Sequence, residues 1–247
     1  MSWLPFQWSA VRAIALRGFR NYFESPAAYV ILFVFYLLTG YLFALPLFLV
    51  GQASLKTMMD FVPLILTFLV PGLSMGLLAD ELKSGTFESL TTLPLEDWDI
   101  ALGKFLGFAL FMLVAIGGLS FFAVAVGALA QKPFVIDWGE ASGVLCAFYC
   151  LGIMYGAIGL FASSLTRNQI VAFVGAFITG FVFFVLGKID NFFPGALMGF
   201  AEAAGVDSHL SNMARGVFDT RDFIYFASVA FVFLYLAVQR LRTRRFS

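Results

Sequence analysis

Residues 105–131 read FLGFALFMLVAIGGLSFFAVAVGALAQ, a stretch of 27 positions without Asp, Glu, Lys, Arg or His. A helix of roughly 17–25 apolar residues spans the ~30 Å hydrocarbon core of a bilayer. Each Leu, Ile, Phe or Val in it gains about 0.3–0.6 kcal/mol on insertion, whereas a central Arg or Asp costs about 3 kcal/mol. The stretch shows no alternation of apolar and polar positions, so it reads as a helix facing lipid rather than a half-buried strand. Five further charge-free runs have the same character: residues 25–55, 61–79, 141–166, 168–187 and 223–239. The expected fold class is therefore an all-α membrane protein with six transmembrane helices. The run at 61–79 contains Pro63 and Pro71, which predicts a kinked helix there.

Composition agrees with these runs. Apolar residues make up 61% of the chain and charged residues 12%, with 32 phenylalanines; a soluble domain is about half apolar and a quarter charged. The zero net charge by itself says nothing about nucleic acid, because the fifteen basic residues cluster at segment ends; no nucleic-acid partner is expected of a chain that works in the bilayer. Two cysteines are too few for a disulfide framework. The first residues contain no short apolar core followed by a small-residue cleavage site, so no removable signal peptide is expected.

Orientation follows from Lys and Arg. With both termini cytoplasmic, the inner segments hold Arg12, Arg17, Arg20, Lys83, Lys104, Arg167, Arg240, Arg242, Arg244 and Arg245. The outer segments hold Lys56, Lys132, Lys188, Arg215 and Arg221. Ten against five is the asymmetry of the positive-inside rule, and an even number of spans agrees with it. Ahead of the first span, residues 6–23 form an expected amphipathic interfacial helix. Trp8, Val11, Ala15, Phe19 and Tyr22 recur on one side and Arg12, Arg17 and Arg20 on the other. Its aromatics are expected in the acyl boundary and its arginines on the headgroups of membrane lipids.

The connection between the second and third spans, residues 80–99, carries most of the chemistry. Gly85 permits a tight turn, the Thr86 hydroxyl can cap a short helix through Thr92, and Pro94 ends that helix. Glu96, Asp97 and Asp99 then open the next helix, where carboxylates favour the positive end of the dipole. Phe87, Leu90 and Leu93 share one flank of the short helix, with Glu88 nearby. A rigid amphipathic knob of this kind suits contact with a soluble partner; an ordinary structured loop is the plainer account.

Glu81, Lys83-Ser84-Gly85-Thr86, Glu88, Leu90, Pro94 and Gly103-Lys104 resemble the cytoplasmic loop of type-2 ABC-exporter permeases. The most similar branch is that of the gliding-motility and nitrous-oxide-reductase-maturation permeases. Two more segments carry the likeness: Arg17 to Val30, with Tyr22-Phe23, Ser25-Pro26 and Tyr29-Val30, and Gly216-Val217-Phe218-Asp219-Thr220-Arg221-Asp222 through Tyr225. The resemblance implies a single permease domain over residues 1–247 in a bacterial inner membrane. It implies that residues 80–99 hold a coupling helix seated on a cytoplasmic ATP-binding subunit dimer, with a second permease chain, identical or related, alongside. Contacts to the ATPase would come from Glu81, Lys83, Gly85, Thr86, Phe87, Glu88, Leu90 and Pro94. ATP and Mg would bind the partner subunit, since this chain has no Gly-x-x-x-x-Gly-Lys-Ser/Thr phosphate loop and no cofactor of its own is expected.

Enzymatic readings fare poorly. Gly72-Leu73-Ser74-Met75-Gly76 matches Gly-x-Ser-x-Gly, but the sole histidine, His209, is expected at the opposite membrane surface. The same glycines read better as close-packing Gly-x-x-x-Gly, a spacing repeated at Gly103/Gly107 and Gly152/Gly156. Cys146, Cys150 and Met154 lie on one helix face and offer soft ligands for copper, although packing is the simpler reading and no metal site is assigned. Residues 188–222 form the longest outer segment, expected as a re-entrant or interfacial piece with a helical Ala196–Ala204. Its His209, Asp219, Arg221 and Asp222 are candidate contacts to a periplasmic protein. By these boundaries no span contains an internal charge, which speaks against ion-coupled transport. The leading function is ATP-driven export or extraction of a substrate. The alternative is a force-transmitting anchor that relays ATPase cycles to an outer partner without transport.

Overall fold

The computed structural model describes residues 7–50, 55–86, 95–129, 138–188, 205–216 and 218–245, and every regular element among them is helical. Helix α1 covers Trp8–Glu24 and α2 Pro26–Val50. After a 3-10 turn at Leu55–Asp60 come α3, Val62–Ser74, and α4, Gly76–Ser84. Then follow α5 (Asp97–Gly117), α6 (Ser120–Leu129), α7 (Trp138–Leu165) and α8 (Gln169–Leu186). Helices α9 (Val206–Met213) and α10 (Thr220–Arg245) complete the described chain.

Among the described residues, six segments are long and apolar enough to cross a membrane: Pro26–Leu45, Val62–Ser84, Asp97–Phe122, Trp138–Leu165, Gln169–Leu186 and Thr220–Arg244. The chain is a multi-pass, all-helical membrane protein. The second span is α3 and α4 together, and the third is α5 running into α6. Both extend further toward the 85–96 connection than the charge-free runs do. Asp80, Glu81, Lys83, Asp97, Asp99 and Lys104 therefore lie within these helices, and the expectation of charge-free spans is corrected. The reason is that helices outrun their apolar cores wherever end-turn charges find partners.

The fourth span, α7, is the axis of the bundle, with 67% of its apolar window buried against 17% for the fifth span. Gly152 and Gly156 let α5 come close: a methyl on either would overlap Met112 or the Phe108 ring. Gly103 and Gly107 do the same on the other side of α5. A Cβ at 103 would stand 2.7 Å from the Ile14 Cβ, and one at 107 would stand 2.8 Å from the Ala15 carbonyl. Gly72 differs, with only ordinary van der Waals neighbours in Ile31 and Phe173.

This packing corrects the account of α1. Val11 and Ala15 are buried, and Phe19 and Tyr22 pack on the core, so the apolar face meets protein rather than acyl chains. The Tyr22 ring stacks on Phe111 at 4.4 Å. Trp8 alone of the five stays largely exposed, and Arg12, Arg17 and Arg20 face outward. Two glycines one turn apart make a groove, and a helix backbone fills it better than lipid does.

Candidate coupling site

The second span is built around a break. Pro63 sits in the first turn of α3, where a missing amide costs nothing, but Pro71 lies inside the helix. A proline there removes one helical donor and crowds the carbonyl one turn back. The Met75 amide still reaches the Pro71 carbonyl at 2.9 Å, and the Ser74 hydroxyl donates to the Val70 carbonyl at 2.8 Å. Beyond that point two buried amides take an acceptor from outside the helix, although Met75 itself keeps helical dihedrals (φ -56°, ψ -33°). The Leu78 and Ala79 amides donate to the Ser163 Oγ of α7 at 2.7 and 3.0 Å, all within the buried interior. On the far side of the break, the Tyr22 hydroxyl of α1 donates to the Leu73 carbonyl at 3.0 Å. Burial raises the Tyr22 phenol above its ordinary pKa, so it stays a donor.

Helix α4 is then braced to two more spans. Lys104 of α5 donates to the Leu77 carbonyl at 2.6 Å and pairs with Glu81 Oε1 at 2.7 Å. Gln169, the first residue of α8, donates through Nε2 to Asp80 Oδ1. Gly76 leaves room for that carboxylate, since a Cβ there would stand 2.6 Å from Asp80 Oδ2. Helix α4 ends at Gly85, whose φ of 73° is the left-handed cap that glycine tolerates best. The Ser84 and Thr86 hydroxyls meet at 2.8 Å across the turn.

The chain returns at Leu95. Glu96 precedes α5, and its amide donates to Asp99 Oδ2 at 3.1 Å, while Asp99 Oδ1 accepts from the Gln7 amide at 3.4 Å. The carboxylates expected at this helix start therefore do serve it, and Asp99 also anchors the beginning of α1.

Of the residues singled out for ATPase contact, Glu81, Lys83, Gly85 and Thr86 lie together at the end of α4. Glu81 is turned inward to Lys104, whereas Lys83 and Thr86 are exposed. Phe87, Glu88, Leu90 and Pro94, with the helix expected through Thr92, lie outside the described residues. So does Ala196–Ala204. At the opposite end of the bundle, His209 Nδ1 and Asp222 Oδ1 are 2.6 Å apart, and the His209 ring stacks on Tyr225 at 4.1 Å. Asp222 is only 2% exposed. Arg221 is exposed, and Asp219 accepts from the Arg221 amide at 2.9 Å. The four outer residues thus divide into a buried pair and a surface turn. Ser74 and His209 each hold different partners, and Met154 is buried while Cys146 and Cys150 are half-buried.

The family model described as ABC-2 family transporter protein matches residues 28–215, about three quarters of the chain. This chain belongs to the ABC-2 transporter family. The match runs from the first span to the end of α9 and includes the whole braced second span of the permease. A search of curated proteins finds no match to it.

Sequence reasoning missed four features of this ABC-2 permease: Ser163, the Tyr22–Leu73 bond, the Lys104–Glu81 pair and the Asp80–Gln169 bond. A lysine seven residues inside a helix start was the available signal for one of them. A lone lysine that deep requires a carboxylate partner. Ser163 gave none, because Ser-Ser in an apolar run reads as small-residue packing.

Proposed function

We propose that this chain is the non-catalytic transmembrane subunit of an ATP-binding-cassette transporter, coupling ATP hydrolysis on a separate subunit to export or extraction of a substrate. The observation that carries the reading, beside family membership, is the bracing of α4. The helix that leads into the 87–94 loop is tied to the third, fourth and fifth spans, and the α3 end on the other side of the break is tied through Leu73 to α1. A push on that loop would therefore reach most of the bundle at once instead of being lost in one flexible span. Family membership implies an ATP-binding subunit; we take it to be a cytoplasmic dimer that holds ATP and Mg and seats on residues 80–99.

The finer reading places the chain near the gliding-motility and nitrous-oxide-reductase-maturation branch, in a bacterial inner membrane with both termini cytoplasmic. A second permease chain completes the pore or seam. Lys83, Gly85 and Thr86 stand at the exposed mouth of the loop, with Phe87, Glu88, Leu90 and Pro94 supplying the contact. Glu81 would act from behind, holding the base of the loop against Lys104. On the outer side, Arg221 and Asp219 are the accessible contacts for a periplasmic protein, whereas His209 and Asp222 hold the wall behind them.

The test is purification in mild detergent. Wild-type chain should bring down an ATPase with a phosphate-binding loop, and Glu88→Arg should insert normally but lose it. Normal recovery of the ATPase with Glu88→Arg removes the coupling assignment.

A further inference from the structure

The break in the second span has two sets of partners available to it. In the observed state, the Leu78 and Ala79 amides point at Ser163 and the Leu73 carbonyl accepts from Tyr22. In a continuous helix, the Leu78 amide would bond the Ser74 carbonyl and the Leu77 amide the Leu73 carbonyl. The buried Leu78 amide therefore has an acceptor in either arrangement, the Ser163 hydroxyl oxygen in one and the Ser74 carbonyl in the other. Alternative partners for the same buried groups are what a bistable element requires.

The surroundings are shaped for the broken state. Gly159 lies one turn before Ser163 on the same face of α7, and a methyl there would overlap the Ser74 hydroxyl. One turn earlier still, the Tyr155 hydroxyl stands 3.1 Å from Thr67 Oγ1, which also donates to the Pro63 carbonyl at 2.7 Å. A polar stripe on α7, Tyr155–Gly159–Ser163, thus follows the second span through its break. Ser74 and Ser163 are both fully buried.

We propose that the Ser74–Gly76 break is a hinge, latched by the Ser163 hydroxyl oxygen and the Tyr22 hydroxyl, which opens when the second span straightens. Pro71 weakens the helix one turn ahead and keeps the straight form from winning outright. Helix α4 is the arm of the hinge, and its far end continues into the 85–94 connection. That the ATPase works this hinge rests on the function proposed above; that the hinge exists does not.

The experiment places spin labels at positions 64 and 84 of the full-length chain in lipid nanodiscs, with Cys146 and Cys150 replaced by alanine. Leu64 and Ser84 are exposed and flank the break. Double electron–electron resonance then reads the distance across it. Twenty unbroken helical residues span roughly 30 Å, so straightening lengthens the distance. Ser163→Ala and Tyr22→Phe each delete a single latch oxygen. Each should raise the longer-distance population by about tenfold, the typical worth of a net hydrogen bond or two. Ser163→Thr, which keeps the oxygen, should restore the wild-type distribution. An unchanged distribution in both Ser163→Ala and Tyr22→Phe overturns the latch. If Ser163→Ala does not insert, Ser163→Gly, which also lacks the oxygen and adds no thiol, is read in the same way. Adding the ATPase with ATP should move the wild type toward the longer distance and leave Ser163→Ala where it already is. A wild type that stays put while bound ATPase turns over removes the mechanical link and leaves the isolated-chain result standing. Failure to find an ATPase at all would undo the function, not the hinge.

Discussion

Lys104 Nζ lies 2.7 Å from Glu81 Oε1 and 2.6 Å from the Leu77 carbonyl, joining the third span to the helix that precedes the loop. The two partners are unequally buried, with 13% of the lysine side chain exposed and 28% of the glutamate. That inequality makes the pair's two deletions different experiments. Removing the glutamate strands an ammonium in a largely dry site, whereas removing the lysine leaves a carboxylate that can turn toward water.

Glu81→Gln should accordingly lower the thermal midpoint of the detergent-solubilised protein more than Lys104→Met does. A stranded buried charge costs about 3–5 kcal/mol at full burial, and the exposure here brings the expectation down to about 1–3 kcal/mol. The double variant Glu81→Gln/Lys104→Met should recover stability relative to Glu81→Gln alone. Strict additivity in this cycle would show that the pair carries no coupling.

The groove that holds α1 is equally open to test. A methyl on Gly107 meets the Ala15 carbonyl and the Phe19 amide, which are backbone groups and cannot swing aside. Gly107→Leu should therefore lift α1 from α5 while leaving the spans inserted. Trypsin in the presence of intact vesicles should then cut after Arg17 or Arg20 several times faster than in wild type. Unaltered cleavage would mean that α1 is held by something other than this groove.

How much of this could be read in the residues depends on the range of the interaction. The six spans follow from length and hydropathy, which are local and additive, and the interruption of the second span at Met75 lies one turn after Pro71. The surroundings of α1 were misjudged because an amphipathic face is the same whether lipid or a glycine groove covers it. Gly103 and Gly107 did signal close packing, but a spacing names one surface and never its partner. The site divides the same way. Gly85 and the Glu96–Asp99 start are local turn and cap chemistry and were legible. Ser163 against Leu78 spans 85 residues of sequence and Tyr22 against Leu73 spans 51, and neither leaves any periodic trace.

Gly152 and Gly156 give a graded prediction about the central helix. A methyl at 156 would overlap the ring of Phe108, which is fully buried and has nowhere to turn. A methyl at 152 meets the terminal methyl of Met112, the end of a flexible chain. Gly156→Ala should cost about 1–3 kcal/mol by overpacking and Gly152→Ala less than about 1 kcal/mol. Thermal unfolding of the two variants in the same detergent orders them, and equal midpoints would contradict the packing described.

The buried pair at the outer end separates charge from ring stacking. Asp222 accepts from His209 while the imidazole lies flat on Tyr225. Asp222→Asn removes the charge, but its carbonyl oxygen can still accept from the Nδ1–H. His209→Phe keeps a ring on Tyr225 and leaves a buried carboxylate with its protein donor deleted. If the pair holds α9 to the last span, His209→Phe should be the more damaging, by about 1–3 kcal/mol, and Asp222→Asn should be nearly neutral. Hydrogen exchange over Val206–Met213 is the direct measurement, because release of α9 speeds its amides before the spans unfold. If instead Asp222→Asn loosens α9 as much as His209→Phe does, the negative charge itself is what α9 needs, and the attachment is ionic rather than a neutral hydrogen bond.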